Sequence, residues 1–557
     1  MFHFTFKYIM RKLIFIFLIC ASVSLPVNEM AGSDKRLTNF STVSFFIKTN
    51  KPLKVSEATG EILLNTGIAS LDEKFSEFNV KSIKLVFGIF NGDRDLYSKL
   101  EMDRIYVVTI DGGSVNRIED AISEIGTEDI IEFAEPNYIG IAAGVKGTDY
   151  VTAFSLQEKI PNDRYFHKQW YLNNDGSIQS SSSTISIPGA DINMLNAWEI
   201  EKGSEQVIVA ILDSGIRDDH PELRNRIWIN EGEIPNNGID DDRNGYTDDH
   251  KGWDFAYDSK NNYDGFGHGT NIASVIGAET NNLIGFAGID QNAQLMNCKN
   301  LSDDNYGEYI WWSRSIKYAV DNGANVINMS EGGEDYSRVL KTAIDYANSK
   351  GVLVLSAMMN KGDGKDYYPA SFEGVLAVGA TDTDDNRCLR FTWGGGSCYG
   401  DHIGVVAPGN KIYGLDYEDI NNYDVYWSGT SQSTAIVSAI ASLLISQDNS
   451  RSRLDLIDII TNTARDQVGD PREDKPGWDR FYGHGRVDAY LALLFQTDPL
   501  LVSKLKNEPL KSSSDLNNKP KNKIYEPNNA RAKDSKSDSS KINRTNKRSN
   551  RPNPAKR

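Results

Sequence analysis

Residues 206–216 read QVIVAILDSGI, six apolar residues in a row, four of them β-branched, that stop abruptly at Asp-Ser-Gly. A run that is apolar at every position, and not at alternate ones, fits a strand covered on both faces, as in a parallel sheet. Asp213 then falls where the strand ends, at the edge of an α/β sheet where ligand sites gather. Downstream, residues 265–278 read GFGHGTNIASVIGA. Small and apolar residues follow His268 at helical spacing, and Gly267 and Gly269 let backbone and substrate approach the imidazole closely. A third segment, WSGTSQSTAIVSAI at 427–440, opens an Ala/Ile/Val/Leu-rich helix expected to run to about Ser446. Ser431 at its start has a free backbone N–H and sits at the positive end of the helix dipole. Acid, imidazole and hydroxyl in this order are the parts of an oriented serine nucleophile.

Taken singly, each segment also reads as a turn, a tight loop or a helix cap. Their joint order within one α/β pattern favours the catalytic reading. The remaining histidines act as controls. His484 lies in GHGRVDAY, a near copy of the His268 loop, but follows the Ser431 helix with no strand-end acid after it. His167, His220, His250 and His402 stand in polar surroundings and are expected at the surface.

From about Trp170 to Leu494 the chain resembles the subtilisin-like serine proteases, the subtilases. DSGI and DHPEL, GHGT, VINMS, YPAS, VGAT, APG, GTS and GHGRVDAYLAL occur in that family's order. The resemblance implies an α/β fold, a mostly parallel sheet with helices on both faces, and hydrolysis of peptide bonds through an acyl-enzyme. Ser431 would be the nucleophile, His268 the general base and then acid, and Asp213 the holder of the imidazolium. The run GVLVLSAMMN ends in Asn360, which the resemblance makes the side-chain donor to the oxyanion, beside the Ser431 N–H. The family's substrate-binding strand reads Ser330, Glu331, Gly332, Gly333 here. Met359 stands where the family has a glycine lining the primary specificity pocket, and its thioether can fill that pocket and favour small side chains, or block it. Asn271, Ala435 and Ile436 also depart from the family pattern; none of the replaced groups transfers a proton.

Between Asp213 and His268 lies NNGIDDDRNGYTDDHKGWDF. Asp240, Asp242, Asn244, the carbonyl of Tyr246 and then Asp248 or Asp249 offer oxygen ligands at alternate spacing around a turn at Gly245, a donor set suited to Ca²⁺. Lys251 at the twelfth position and the lack of a flanking helix pair exclude an EF-hand. The alternative is a solvated acidic turn. Subtilases often carry structural calcium in this region, so the ion would stabilise and not catalyse.

The other segments suggest an exported precursor. Lys7, Arg11 and Lys12 precede the short apolar run 13–20 and small residues to Ser24, so residues 1–24 read as a signal peptide. Residues 35–142 carry a strand, helix, strand, strand, helix, strand pattern, a small α+β (βαββαβ) module. Beside a subtilase such a module resembles the inhibitory, fold-assisting propeptide. Residues 143–165 are the connector and processing region, 166–496 the catalytic domain, and 497–557 a basic tail. From Leu501 to Arg557 there are 16 Lys/Arg against 5 Asp/Glu, within a chain of net charge −17. Rich in Ser, Asn and Pro, the tail is expected to stay unfolded. Cys388 and Cys398 are close enough for a small disulfide, and Cys298 is expected as a buried strand residue.

The reading is a secreted, or periplasmic, calcium-stabilised endopeptidase acting on proteins or peptides. It would be inhibited by its own propeptide and monomeric, with no transmembrane anchor and no nucleic-acid partner. A second reading is a self-cleaved binding protein that keeps its propeptide.

Overall fold

The computed structural model describes residues 39–54, 66–88, 94–111, 114–148, 160–181, 183–495 and 499–506. The segments read as a signal peptide and as most of the basic tail lie outside them.

The N-terminal module forms strands β1 (Phe40–Thr49), β2 (Val80–Leu85), β3 (Ile105–Ile110) and β4 (Ile131–Ala142) in the antiparallel order β4-β1-β3-β2. Helices Ala69–Glu77 and Val115–Ile125 fall where the sequence pattern predicts them, and a further short helix, Arg94–Lys99, was not legible in that pattern. Alternation sorts the sheet's side chains between two cores. Phe45, Ile47, Tyr106 and Val108 pack with the two longer helices, at Leu71, Phe75, Ile118 and Ala121. Phe46, Ile105 and Val107 instead join a core shared with helices Tyr309–Asp321 and Arg338–Ser349 of the large body. The chain then continues into β5 (Val145–Thr148).

The large body is built on β6 (Ile208–Asp213), β7 (Trp253–Asp254), β8 (Gln294–Lys299), β10 (Val326–Met329), β12 (Leu353–Ala357), β13 (Val375–Thr381) and β14 (Ile403–Pro408). They form one seven-stranded sheet, order β14-β13-β12-β10-β6-β8-β7, with every neighbour parallel. The all-apolar β6 is covered on both faces: Val209 and Ile211 pack into a core with helices His268–Gly277 and Thr430–Gln447, Ala210 and Leu212 into the core with Tyr309–Asp321 and Arg338–Ser349. The chain leaves β6 for β7 and β8 on one side and returns to β10 on the other, so the strand order reverses at β6. Two-residue strands β9 (Gly307–Glu308) and β11 (Glu331–Gly332) both pair with β4. Strands β15 (Ile412–Tyr413) and β16 (Val425–Ser428) form a small sheet with β5.

Two sequence expectations need correction, and the open question of a Cys388–Cys398 bridge is answered. The basic tail begins folded: Pro499–Lys506 is a helix, which buries Val502, while Lys506 Nζ donates to Asn462 O at 3.0 Å. His220 is buried, its Nδ1 accepting the N–H of Glu222 at 3.1 Å. Cys388 and Cys398 are separate buried thiols, since Cys388 packs with Ala380 and Phe391 while Cys398 faces a cluster containing Tyr367 and Val406. Cys298 is a buried residue of β8, as its apolar context predicts.

Candidate active site

Asp213 ends β6, Ser330 directly follows β10, and Asn360 lies three residues past β12. All three stand at the carboxyl edge of the sheet beside the reversal in strand order, where a parallel α/β sheet opens its crevice. Helices His268–Gly277 and Thr430–Gln447 begin at the same edge. Five of the residues singled out in the sequence thus converge without any being a neighbour in the chain.

The acid–imidazole half is tightly built. His268 Nδ1 lies 2.8 and 2.9 Å from the two carboxylate oxygens of Asp213, and both residues are wholly buried. Asp213 Oδ1 also accepts the Ser214 N–H at 2.7 Å. Trp427 closes the imidazole from the side, edge to face at 5.2 Å. Gly269 sits where a Cβ would come within 2.1 Å of Gly215 O, which explains glycine after the histidine.

The hydroxyl half is arranged differently. Ser431 is the second residue of its helix, so its N–H has no intrahelical acceptor. That N–H donates to Ala143 O at 3.2 Å. Ser431 Oγ lies within hydrogen-bonding reach of Ala143 O and, at 3.0 Å, of Ser330 O. His268 Nε2 is buried without a hydrogen-bond partner. The reason is the chain itself: Gly144 passes so close that a Cβ there would be 2.7 Å from His268 Nε2.

Residues 139–148 cross the site as the end of β4, a bend at Ala143, and β5. Ile141 and Ala142 pair antiparallel with Gly332 and Glu331, Ile139 and Gly140 pair with Glu308 and Gly307, and the Ala143 N–H donates to Ser330 O at 2.8 Å. Beyond Gly144, β5 pairs with β16 from Val145 against Ser428 to Thr148 against Val425. Ser330, Glu331 and Gly332 therefore line this strand. Met359, at φ 73° and buried, packs with Met358, Ala357 and Ala143. Asn360 is locked by its Oδ1, which accepts from Thr430 N at 2.9 Å and Thr430 Oγ1 at 3.1 Å. Its Nδ2 faces the space of the Ala143 carbonyl: a Cβ placed on Gly429 would be 2.9 Å from Nδ2 and 2.2 Å from Ala143 O. The Ser431 N–H bonds this carbonyl oxygen and the Asn360 amide borders the same space, a placement from which both can serve a developing oxyanion.

Glu331 is the unexpected member. Fully buried, its Oε1 accepts from Asn300 Nδ2 at 2.8 Å, while its Oε2 and Asn300 Oδ1 lack partners. Burial pushes its carboxyl well above the usual range, and Asp213 adds to the push. A proton on Glu331 lets acid and amide satisfy each other.

The N-terminal module also caps two helices of the body. Glu135 accepts from Ser337 Oγ at 2.7 Å and from the N–H groups of Arg338 and Val339 at 3.2 Å each, at the start of helix Arg338–Ser349. Asn137 Oδ1 accepts the Ile310 N–H at 3.2 Å at the start of helix Tyr309–Asp321. Sequence reasoning read this stretch as the last strand of the module but could not see these contacts, which span over 170 residues.

In the acidic loop the carboxylates that share a point are Glu233, Asp242 and Asp249, with one oxygen of each within 4.8 Å of the others. Asp240 caps the turn, accepting the N–H groups of Asn244 and Gly245 at 3.0 and 2.9 Å. Asn244 Nδ2 donates to Asp249 Oδ2 at 2.9 Å, and its Oδ1 accepts the Tyr246 N–H at 2.8 Å. Tyr246 packs its ring on Trp253, Phe255 and Tyr318. Asp248 is paired with Lys260 Nζ at 2.9 Å and accepts from Asn237 and Gly238 N–H. Of the two alternatives weighed in the sequence, Asp249 and not Asp248 joins the cluster, and Glu233, too far upstream to enter the motif, completes it. Burial raises the Asp249 carboxyl to about 6, with Asp242 adding to it. An all-oxygen donor set with a buried, destabilised carboxylate fits a hard cation such as Ca²⁺.

Comparisons with known proteins agree with this geometry. The family model described as the subtilase family matches residues 204–485. A thermophilic serine proteinase of Bacillus sp. (strain AK1) is 28% identical over 450 residues, 80% of this chain and 92% of that protein. Thermitase of Thermoactinomyces vulgaris is 32% identical over 335 residues, 60% of this chain and 99% of that protein. The crystal structure of fervidolysin from Fervidobacterium pennivorans superposes with a TM-score of 0.56 at 19% identity, covering 86% of this chain and 63% of that one. With over half its length matched by the family's own pattern, and with the residues of that pattern gathered at one sheet edge, the chain belongs to the subtilases, the subtilisin-like serine proteases.

Proposed function

We propose that this protein is an exported serine endopeptidase made as a self-processed zymogen, and that the bond it first cuts is Ala143–Gly144. Ser431 attacks the Ala143 carbonyl, His268 takes the hydroxyl proton and then gives it to the Gly144 nitrogen, and Asp213 holds the imidazolium. The Ser431 N–H and Asn360 Nδ2 stabilise the tetrahedral oxyanion. Rotation about the Ser431 Cα–Cβ bond, away from Ser330 O, is the motion that brings Oγ to Nε2. Water then releases the acyl group. The observation that carries this reading is the seating of residues 139–148 through the site, paired on both sides of Ala143–Gly144, with Ala143 O against the Ser431 N–H at 3.2 Å.

On this reading the N-terminal module is the propeptide and intramolecular inhibitor, and residues 1–24 direct export to the periplasm or medium. Among the described residues no helix is long and apolar enough to cross a membrane. The processed enzyme acts as a monomer on protein or peptide substrates. Glu233, Asp242 and Asp249 are the residues that would hold Ca²⁺, which supplies rigidity to the loop leading to His268.

The test is intact mass and N-terminal sequencing of the secreted wild type and of Ser431→Ala, followed by casein hydrolysis. Wild type should begin at Gly144 and digest casein, with Ser431→Ala intact and inert. A wild type that cuts itself, keeps the fragment bound and leaves casein untouched is the binding protein of the second reading. One that never cuts overturns the catalytic assignment.

A further inference from the structure

The strand lying through the site also records what the site selects. Gly140 is four residues before the Ala143–Gly144 bond, and a Cβ there would lie 2.1 Å from Trp312 Cη2 and 2.8 Å from Gly332 O. Trp312 cannot swing aside, being wholly buried and stacked on Tyr309 at 4.8 Å. Ala143 itself meets Met358 and Met359, and the thioether of Met359 lies against the opposite strand, where a Cβ on Gly332 would be 2.8 Å from Sδ. The pocket for the residue before the cut is therefore filled from within. After the cut, Gly144 has no room for a side chain beside His268.

Two residues further on the environment changes from steric to electrostatic. Lys146 Nζ sits 2.8 Å from Asp416 Oδ1 and 3.5 Å from Glu418 Oε2, with the Tyr417 ring 5.4 Å away. Asp416 is almost fully buried and held by Asn422 Nδ2 at 2.7 Å, so it is a fixed feature of the groove. Glu418 is exposed and adds charge at the rim.

From these contacts, and resting on the reading of residues 140–147 as a substrate-like segment, we infer that the mature enzyme selects Gly/Ala-rich sequences with a basic residue on the departing side. The pattern is glycine four residues before the cut, alanine or smaller at the cut, glycine directly after it, and Lys or Arg three residues after it. Asp416, Tyr417 and Glu418 read the cation, Trp312 excludes side chains at the first position, and Met359 excludes large ones at the cut. Because the cation clasp is partly exposed, its share of the selectivity falls as salt rises.

The test uses mature enzyme and an internally quenched peptide, YIGIAAGVKGTD, copied from residues 138–149. The peptide is compared with versions carrying Lys146→Glu, Gly140→Leu or Ala143→Phe, and with the enzyme variant Glu418→Lys. The parent peptide should be cut between Ala and Gly, and each peptide change should lower kcat/KM by about tenfold or more, Lys146→Glu because like charges in a groove are strongly disfavoured and the two larger side chains because they meet Trp312 and Met359. Glu418→Lys should recover part of the rate on the Lys146→Glu peptide and lose rate on the parent. If the parent is cut but the charge reversal moves kcat/KM by less than twofold in either enzyme, the selectivity is overturned while the zymogen reading stands. If casein is digested and the parent peptide is not, the substrate-like seating fails and this inference with it. A precursor that neither processes itself nor cuts casein sinks both.

Discussion

The sharpest prediction concerns Asn360, because its two ends do separable things. Its Oδ1 accepts two hydrogen bonds from Thr430, and this fixes the Nδ2 beside the space that the Ala143 carbonyl occupies. Asn360→Ala removes a transition-state donor worth roughly 3 kcal/mol. At 1.36 kcal/mol per decade that is about 10²-fold in kcat, with KM little changed. The same change also orphans the Thr430 N–H and hydroxyl, costing about 1–3 kcal/mol of stability. Asn360→Asp keeps the acceptor and so keeps most of the stability, but places a negative charge beside the forming oxyanion. Its kcat should fall further than that of the alanine variant. The assay is the single-turnover rate of propeptide cleavage by mass spectrometry, paired with urea unfolding of each variant in a Ser431→Ala background. An aspartate variant that processes within about threefold of wild type would refute the oxyanion role, whatever the alanine variant does.

Three further outcomes are expected. Glu331 is held protonated by burial, so its folded-state affinity for the proton exceeds its unfolded one; the stability this contributes is full at acid pH and is lost as pH rises above the ordinary carboxylate range. Glu331→Gln, whose amide can pair with Asn300 at any pH, should flatten that decline in urea midpoints between pH 5 and 9, and an unchanged slope would contradict the assignment. Calcium should raise Tm with a chelator reversing it, about 2.7 kcal/mol at a hundredfold excess over Kd. Asp249→Asn should abolish the shift and Asp248→Asn should leave most of it; equal effects would move the ion elsewhere. Glu135→Ala removes the carboxylate cap on helix Arg338–Ser349, and at about 1–2 kcal/mol for a lost cap the released module should inhibit the mature enzyme roughly tenfold more weakly, measured by titration of casein hydrolysis.

What the sequence made legible was local. An all-apolar strand ending in Asp213, a histidine framed by glycines and a serine opening a buried helix each carry their signal within about a dozen residues, and the structure puts them at one edge. The N-terminal module was readable for the same reason, through strand alternation and two amphipathic helices. What stayed hidden depends on partners distant in the chain. Nothing near Ala143 announces that the residues before it pair with Glu331 and Gly332, and nothing near Glu233 links it to Asp249. Polar neighbours made His220 look exposed, although the fold buries it. Spacing suited Cys388 and Cys398 to a bridge, but their side chains enter different clusters.

If the N-terminal module is the inhibitor proposed above, the unbroken passage of the chain from β4 into β5 makes the tether part of it. While the Ala143–Gly144 bond is whole, the module occupies the cleft at an effective concentration of order millimolar, set by chain connectivity and independent of how much protein is present. On that reading, cutting the bond leaves the β9 and β11 pairings available but turns the association bimolecular. Occupancy then obeys mass action, so enzyme released into a large volume sheds its inhibitor and enzyme retained in a confined space keeps it. On that reading dilution, and not a second cleavage, becomes the first signal for activity.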